Sequence, residues 1–99
     1  MKYLKCKWIH DFMNEPTIII SEIDENRFET RKIEIFRDGK FGLAAPNLEY
    51  MNTRLGEVPL PDMEEIAKDE QFEVQSISSQ EFNEMWRDKI QSFIRLLKD

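Results

Sequence analysis

Period-2 alternation through the first 45 residues, an Asp-Gly pair between two alternating runs, and a long amphipathic stretch at the end predict an α+β domain. The expected architecture is an antiparallel β-sheet of four to five strands, built from hairpins and packed against a long C-terminal helix. One short helix is expected near 62–69. A length of 99 residues matches one domain, 1–99, and no internal repeat or linker divides it.

The first strand is expected over Lys2 to His10. Leu4, Cys6 and Trp8 share one face there, and Lys5 and Lys7 share the other with Tyr3 and Ile9. The first face reads as core. Asn14 and Pro16 end the run with a turn. In Thr17 to Ile23, the triplet Ile18-Ile19-Ile20 puts β-branched side chains on both faces, as a strand covered on two sides requires. Arg27 to Arg37 follows a polar turn. Its apolar phase changes between Phe28 and Ile33, which predicts a bulge near Arg31 and Lys32. Asp38-Gly39 tolerates the positive φ angles of a type I′ turn, so a tight hairpin should join this strand to Lys40–Ala45.

Asn47 to Leu60 reads as a connecting loop, with Met51 filling a gap. Pro61 and Asp62 open the short helix, since proline fits a first turn and acids complement the positive end of the dipole. Met63, Ile66 and Ala67 form its inner stripe. Phe72 and Val74 alternate with Glu73 and Gln75 as a brief edge strand. Ser78 and Glu81 have capping-box spacing. Phe82, Met85, Trp86, Ile90, Phe93, Ile94 and Leu97 then recur at steps of three and four, which makes one apolar stripe that needs a partner.

Composition excludes several functions. Lysine and arginine number 14 against 20 aspartates and glutamates, a net charge of −6, so the clustered cations that displace counterions from a duplex are missing. No nucleic-acid partner is expected. The longest apolar stretch, Phe41 to Ala45, falls far short of the roughly 20 residues of a membrane span, and no leader segment is expected. One cysteine forms no internal disulfide and no structural zinc site. A reducing compartment follows, with the cytoplasm as the expected location. Neither a cofactor nor a metal is expected.

Three sets of residues are candidates for function. His10 stands beside Asp11 and Trp8, and a neutral-range imidazole with an acid partner can move protons. Adjacent strand residues face apart, however, so strand-end hydrogen bonds are the plainer role. Arg54, in Thr53-Arg54-Leu55-Gly56-Glu57, can fork onto an anion or hold its loop by pairing with a nearby carboxylate. Cys6 reads as a small buried hydrophobe, because alternation sends Lys5 and Lys7 away from it. The strongest signal is electrostatic. Glu57 to Glu73 contains seven acids and one lysine, a balance equal to that of the whole chain. A one-sign patch steers oppositely charged partners.

Lys7-Trp8-Ile9-His10-Asp11, Arg31 to Gly39 (RKIEIFRDG) and Thr53-Arg54-Leu55-Gly56-Glu57-Val58-Pro59 together resemble a family of small uncharacterised bacterial single-domain proteins. The resemblance extends to about Trp86. It implies no activity and no catalytic residues. Glycines are expected just before Thr53, where this chain has Tyr50, Met51 and Asn52. By analogy alone, small acidic proteins of this kind are similar to immunity proteins.

The function expected from these readings is that of a non-enzymatic protein-binding module, an immunity or antitoxin-like inhibitor. It would dock a basic partner through Glu57, Glu64, Glu65, Asp69, Glu70 and Glu73. A small ligand-binding domain or enzyme centred on Trp8, His10, Asp11 and Arg54 is the first alternative. A structural homodimer through the C-terminal helix is the second, so monomer and homodimer both stay open.

Overall fold

The computed structural model describes residues 1–98. Six antiparallel strands form one sheet: β1 Lys2–Trp8, β2 Ile18–Ile23, β3 Glu29–Ile35, β4 Phe41–Ala45, β5 Leu48–Tyr50 and β6 Phe72–Ser76. Their order is β5-β4-β3-β2-β1-β6. A short helix, α1 Met63–Ala67, precedes β6, and the long helix, α2 Ser79–Lys98, ends the fold. No helix among the described residues is long and apolar enough to cross a membrane.

The meander follows from local chemistry. Asp24 Oδ1 accepts from the N–H groups of Asn26 and Phe28 at 2.9 and 3.0 Å and turns β2 into β3, with Arg27 at φ 67°. A bulge lies one residue before its predicted place. Glu22 pairs with Arg31 and Ile23 with Glu29, which leaves Thr30 as the extra residue. The β3–β4 hairpin is present but is not a type I′ turn. Only Gly39 has positive φ, Gly39 N–H donates to Phe36 C=O (2.9 Å), and Phe36 N–H donates to Lys40 C=O (2.8 Å). That is a type I turn closed by a glycine bulge, and it spares Asp38 a left-handed conformation.

Both faces of the sheet bury apolar side chains: Leu4, Ile23 and Ala44 are buried on the face expected as core, but the long helix covers the opposite face. α2 lies on the face of Tyr3, Lys5 and Lys7, where Ile18 and Ile20 from β2, Ile33 and Ile35 from β3, and Leu43 from β4 also point. Tyr3 and the stems of the lysines therefore face the helix layer, while Leu4, Cys6 and Trp8 face away from it. The triplet Ile18-Ile19-Ile20 does split between the two sides. α2 crosses the sheet from Phe82, 5.2 Å from the Tyr3 ring, to Phe93, 4.8 Å from the Tyr50 ring. Phe82 is fully buried and Met85, Trp86, Ile90 and Phe93 pack beside it. Each large apolar side chain buried in full contributes about 1.5–3 kcal/mol.

The helix starts where its capping box places it. Glu81 N–H donates to Ser78 Oγ at 3.0 Å, and Ser78 N–H reaches back to Glu81 Oε1 at 3.4 Å. Its predicted stripe is too long by one turn. Ile94 (44% exposed) and Leu97 (70%) face solvent, as does Leu96 (54%).

Candidate functional site

The sheet face away from α2 is roofed by the chain between β5 and β6. The roof is tied down at three places. Tyr50 to Thr53 make a tight turn, with Thr53 N–H donating to Tyr50 C=O (3.3 Å), and the fully buried Thr53 hydroxyl donates to Glu34 Oε1 at 2.7 Å. Next, Glu29 Oε1 accepts from Gly56 N–H (2.6 Å) and from Lys32 Nζ (2.8 Å). Lys32 also donates to Arg54 C=O at 3.0 Å. Ser21 Oγ completes that cluster on Glu29 Oε2 at 3.0 Å. Last, Arg27 donates from Nε to Leu60 C=O (2.8 Å) and from Nη2 to Pro61 C=O (2.6 Å).

Met51 is not a gap filler. It is 43% exposed and sits at φ 59°, followed by Asn52 at φ 61°. Two successive left-handed residues make the Tyr50–Thr53 turn type I′, a conformation that glycine adopts without steric cost and methionine does not.

Between its ties the roof arches over a cleft of ≈ 480 Å³. Leu4, Cys6 and Ile19 form its floor, Phe72 and Val74 the β6 side, and Leu60 and Ile66 the roof. Its polar groups are few. Ser21, Glu29 and Lys32 satisfy one another at one end, and Asp69 stands at the mouth. Cys6 is a half-buried lining residue, not a core residue beneath the helix, and burial pushes its thiol pKa up, so the thiolate is scarce at neutral pH. α1 has only Met63 and Ile66 half-buried, while Ala67 of the expected stripe is exposed.

All six acidic candidates are exposed. Glu57 lies on the roof, Glu64 and Glu65 on α1, and Asp69 and Glu70 in the turn that follows. Glu73 is apart from them. In the β1–β6 register it lies opposite Lys7 and so faces the α2 side. Among the described residues, Glu65 is the one member of this set with a cation within ion-pair distance, Lys68 at 2.9 Å. Asp62 nearby lies 3.6 Å from Arg27.

The Trp8, His10, Asp11, Arg54 set does not come together. His10 Nε2–H donates to Pro16 C=O at 2.7 Å and its Nδ1 accepts from Phe12 N–H at 2.9 Å, so both ring nitrogens serve the backbone. The ring lies 4.2 Å from that of Trp8, which also stacks on Phe72 at 5.9 Å. Asp11 is exposed. Arg54 pairs weakly with Glu49 of β5 at 3.8 Å, with three strands between β5 and β1. No group of three or more His, Cys, Asp or Glu side chains placed to hold a metal occurs among the described residues.

Sequence reasoning missed Arg27, Glu29 and Lys32, the residues that build the cleft. Lys32 alternates with Ile33, which reads as a solvated strand face. Only the return of the chain over that face buries it.

Residues 2–91 match the model of a family described as a domain of unknown function (DUF6881). Neither the comparison with curated proteins nor that with solved structures gives a match.

Proposed function

This chain belongs to the DUF6881 family, whose description names no function, and from the surface charge of the structure we propose that it is a protein-binding module that docks a basic partner through the acidic roof of its open sheet face. The observation that carries this reading is the exposure of Glu57, Glu64, Glu65, Asp69 and Glu70 on one continuous unit, with Lys68 as its single lysine. A local field of one sign raises the encounter rate with a cationic protein and orients it. Nuclease-type toxins are cationic because they grip phosphates, so an acidic surface of this kind suits an immunity- or antitoxin-like inhibitor acting in the bacterial cytoplasm. The three sequence motifs belong to the scaffold in this reading. Lys32 and the Thr53–Pro59 segment build the roof ties, and Trp8 and His10 brace the sheet end.

The experiment is capture of the partner from the native host, followed by stopped-flow association with the Glu64→Lys, Glu65→Lys, Asp69→Lys, Glu70→Lys variant. The expected result is a fall in association rate of about tenfold or more at low salt that fades as ionic strength rises. An unchanged rate at low salt overturns the reading.

The exposed Ile94, Leu96 and Leu97 favour a second reading, a homodimer through the end of α2. Light scattering at two concentrations tests it, and a monomer at both removes it.

A further inference from the structure

We propose that the cleft under the roof is the anchor pocket of the docking surface, and that it takes an aliphatic or aromatic side chain of the partner flanked by arginine or lysine. This rests on the docking reading and adds to it where the apolar contact is made and what sequence the partner must present there.

Three observations select this occupant. The volume of ≈ 480 Å³ lies within the roughly 300–1,000 Å³ of pockets that bury a ligand, and the surfaces of Leu4, Ile19, Leu60, Ile66, Phe72 and Val74 supply no hydrogen bonds to a polar guest. An apolar group is the one that gains by entering.

The charge at the cleft excludes an anionic guest. Lys32 is its only lining cation, and two of the three Nζ donors go to Glu29 and to Arg54 C=O, so its charge is neutralised within the cleft. At the mouth stands Asp69, which has no cation within ion-pair distance among the described residues and whose Oδ1 accepts only from Gln71 N–H, at 2.9 Å. Glu65 and Glu70, in the same short segment, are exposed as well. A carboxylate or phosphate bound here would meet the like charge of Asp69 and a lysine whose own charge is already paired with Glu29, whereas a guanidinium beside the apolar group meets Asp69.

The cleft is also preformed and continuous with the acidic unit. The three ties hold the roof without a guest, so binding does not have to order it. Ile66 and Asp69, which line the cleft, belong to the same segment as the exposed carboxylates Glu64, Glu65 and Glu70. A partner drawn in by the field therefore arrives beside the opening, with the Asp69 carboxylate next to its apolar anchor.

The test uses the whole chain and three blocked tripeptides, Arg-Phe-Arg, Glu-Phe-Glu and Arg-Ser-Arg, with chemical shifts read at the methyl groups of Leu4, Ile19 and Val74 and at the backbone amides of 64–70. Arg-Phe-Arg is expected to move the cleft methyls, and Glu-Phe-Glu and Arg-Ser-Arg are not. Asp69→Asn keeps the Oδ1 that receives Gln71 N–H, and it should weaken Arg-Phe-Arg by about two- to fivefold, as loss of one exposed ion pair does. If both arginine peptides shift the 64–70 amides while the methyls stay still, the anchor pocket is overturned and acidic docking stands. Equal methyl shifts from Glu-Phe-Glu overturn the charge selection. No shift anywhere overturns the pocket and counts against the docking reading as well.

Discussion

Arg31 holds Glu22 across the β2–β3 register with two nitrogens, Nε on Oε1 at 2.8 Å and Nη2 on Oε2 at 2.6 Å. The guanidinium also lies over two rings of α2, 4.8 Å from the centre of Phe82 and 5.2 Å from that of Trp86, and donates to Asn83 Oδ1 at 2.9 Å. A charged pair at the margin of an apolar layer thus fixes where the helix sits along the sheet. Apolar stripes alone tolerate sliding by a turn, but a bidentate pair with a third bond to the helix does not.

The pair makes stability sensitive to acid. Hydrogen bonding from Arg31, aided by Thr30 and opposed by burial, holds the Glu22 carboxyl at about 2, against an ordinary value of 4.5. Because the folded value is the lower one, the stabilisation is complete above pH of about 4.5 and drains away as pH falls toward 2. Its size is about 3 kcal/mol by linkage. Urea midpoints between pH 7 and pH 2 should fall steeply across this window for the native chain. Glu22→Gln should be less stable at pH 7 and visibly flatter below pH 5. Parallel curves for the two proteins would show that another carboxylate sets the acid limb.

Met51 carries a backbone cost that glycine would remove. An L-residue in the left-handed region costs roughly 1–2 kcal/mol, and methionine has no side-chain group to hydrogen-bond locally as asparagine does. Its side chain is substantially exposed, so little packing is lost on truncation. Met51→Gly is therefore expected to stabilise by about 0.5–1 kcal/mol, after the added entropy of the unfolded chain is subtracted. Asn52→Gly should do less. A lower thermal midpoint for Met51→Gly would contradict the turn geometry.

The parts of the fold that are legible in the sequence are those set by near neighbours. Asp38-Gly39, Ser78 with Glu81, and the step-of-three-and-four stripe from Phe82 to Phe93 each act within a few residues, and each has a counterpart in the structure. β5 escapes because Leu48-Glu49-Tyr50 is too short to show a period and stands between Pro46 and the Met51-Asn52 turn. Which face of β1 the long helix covers is hidden for a related reason. Leu4 and Cys6 are indeed the more apolar phase, but the helix settles on the phase carrying Tyr3, where Glu22 and Arg31 meet it. The candidate site is the least legible part. Acidity between Glu57 and Glu73 is plain from the letters, whereas the cleft exists only because residues far apart, Glu29 with Gly56 and Arg27 with Leu60, draw a loop across the sheet.

Glu29 is the central tie of that loop. Its carboxylate receives Ser21, Lys32 and Gly56 at once, and it is buried. Glu29→Gln keeps the volume but removes the charge and turns one acceptor into a donor, which leaves Lys32 without its counter-ion. A loss of about 2–4 kcal/mol is expected. The loosening should be local first, so amide exchange at Gly56 should accelerate before that of β2 and β3. Uniform acceleration across the sheet would mean that the tie serves global stability and not the roof.

Gly42 and Thr53 make the strongest packing prediction. A Cβ built on Gly42 in β4 would overlap Thr53 Oγ1, come to 2.9 Å of Thr53 Cβ and reach 3.0 Å of Tyr50 C=O. Thr53 cannot move aside, because it is fully buried and its hydroxyl is bound to Glu34. Gly42→Ala should therefore destabilise by about 2–3 kcal/mol or more, the range of overpacking in a close-packed interior. Thr53→Gly removes the opposing side chain at its own cost, through the lost bond to Glu34 and a freer unfolded chain. In that background Gly42→Ala should cost clearly less, since only the contact with Tyr50 C=O remains. The coupling between the two sites, read from urea unfolding of the four proteins, should be at least about 1 kcal/mol and of the sign that makes the double variant better than additive. Additive behaviour would mean that the roof yields at Thr53 without resistance, and then its first tie does not hold the cleft in shape.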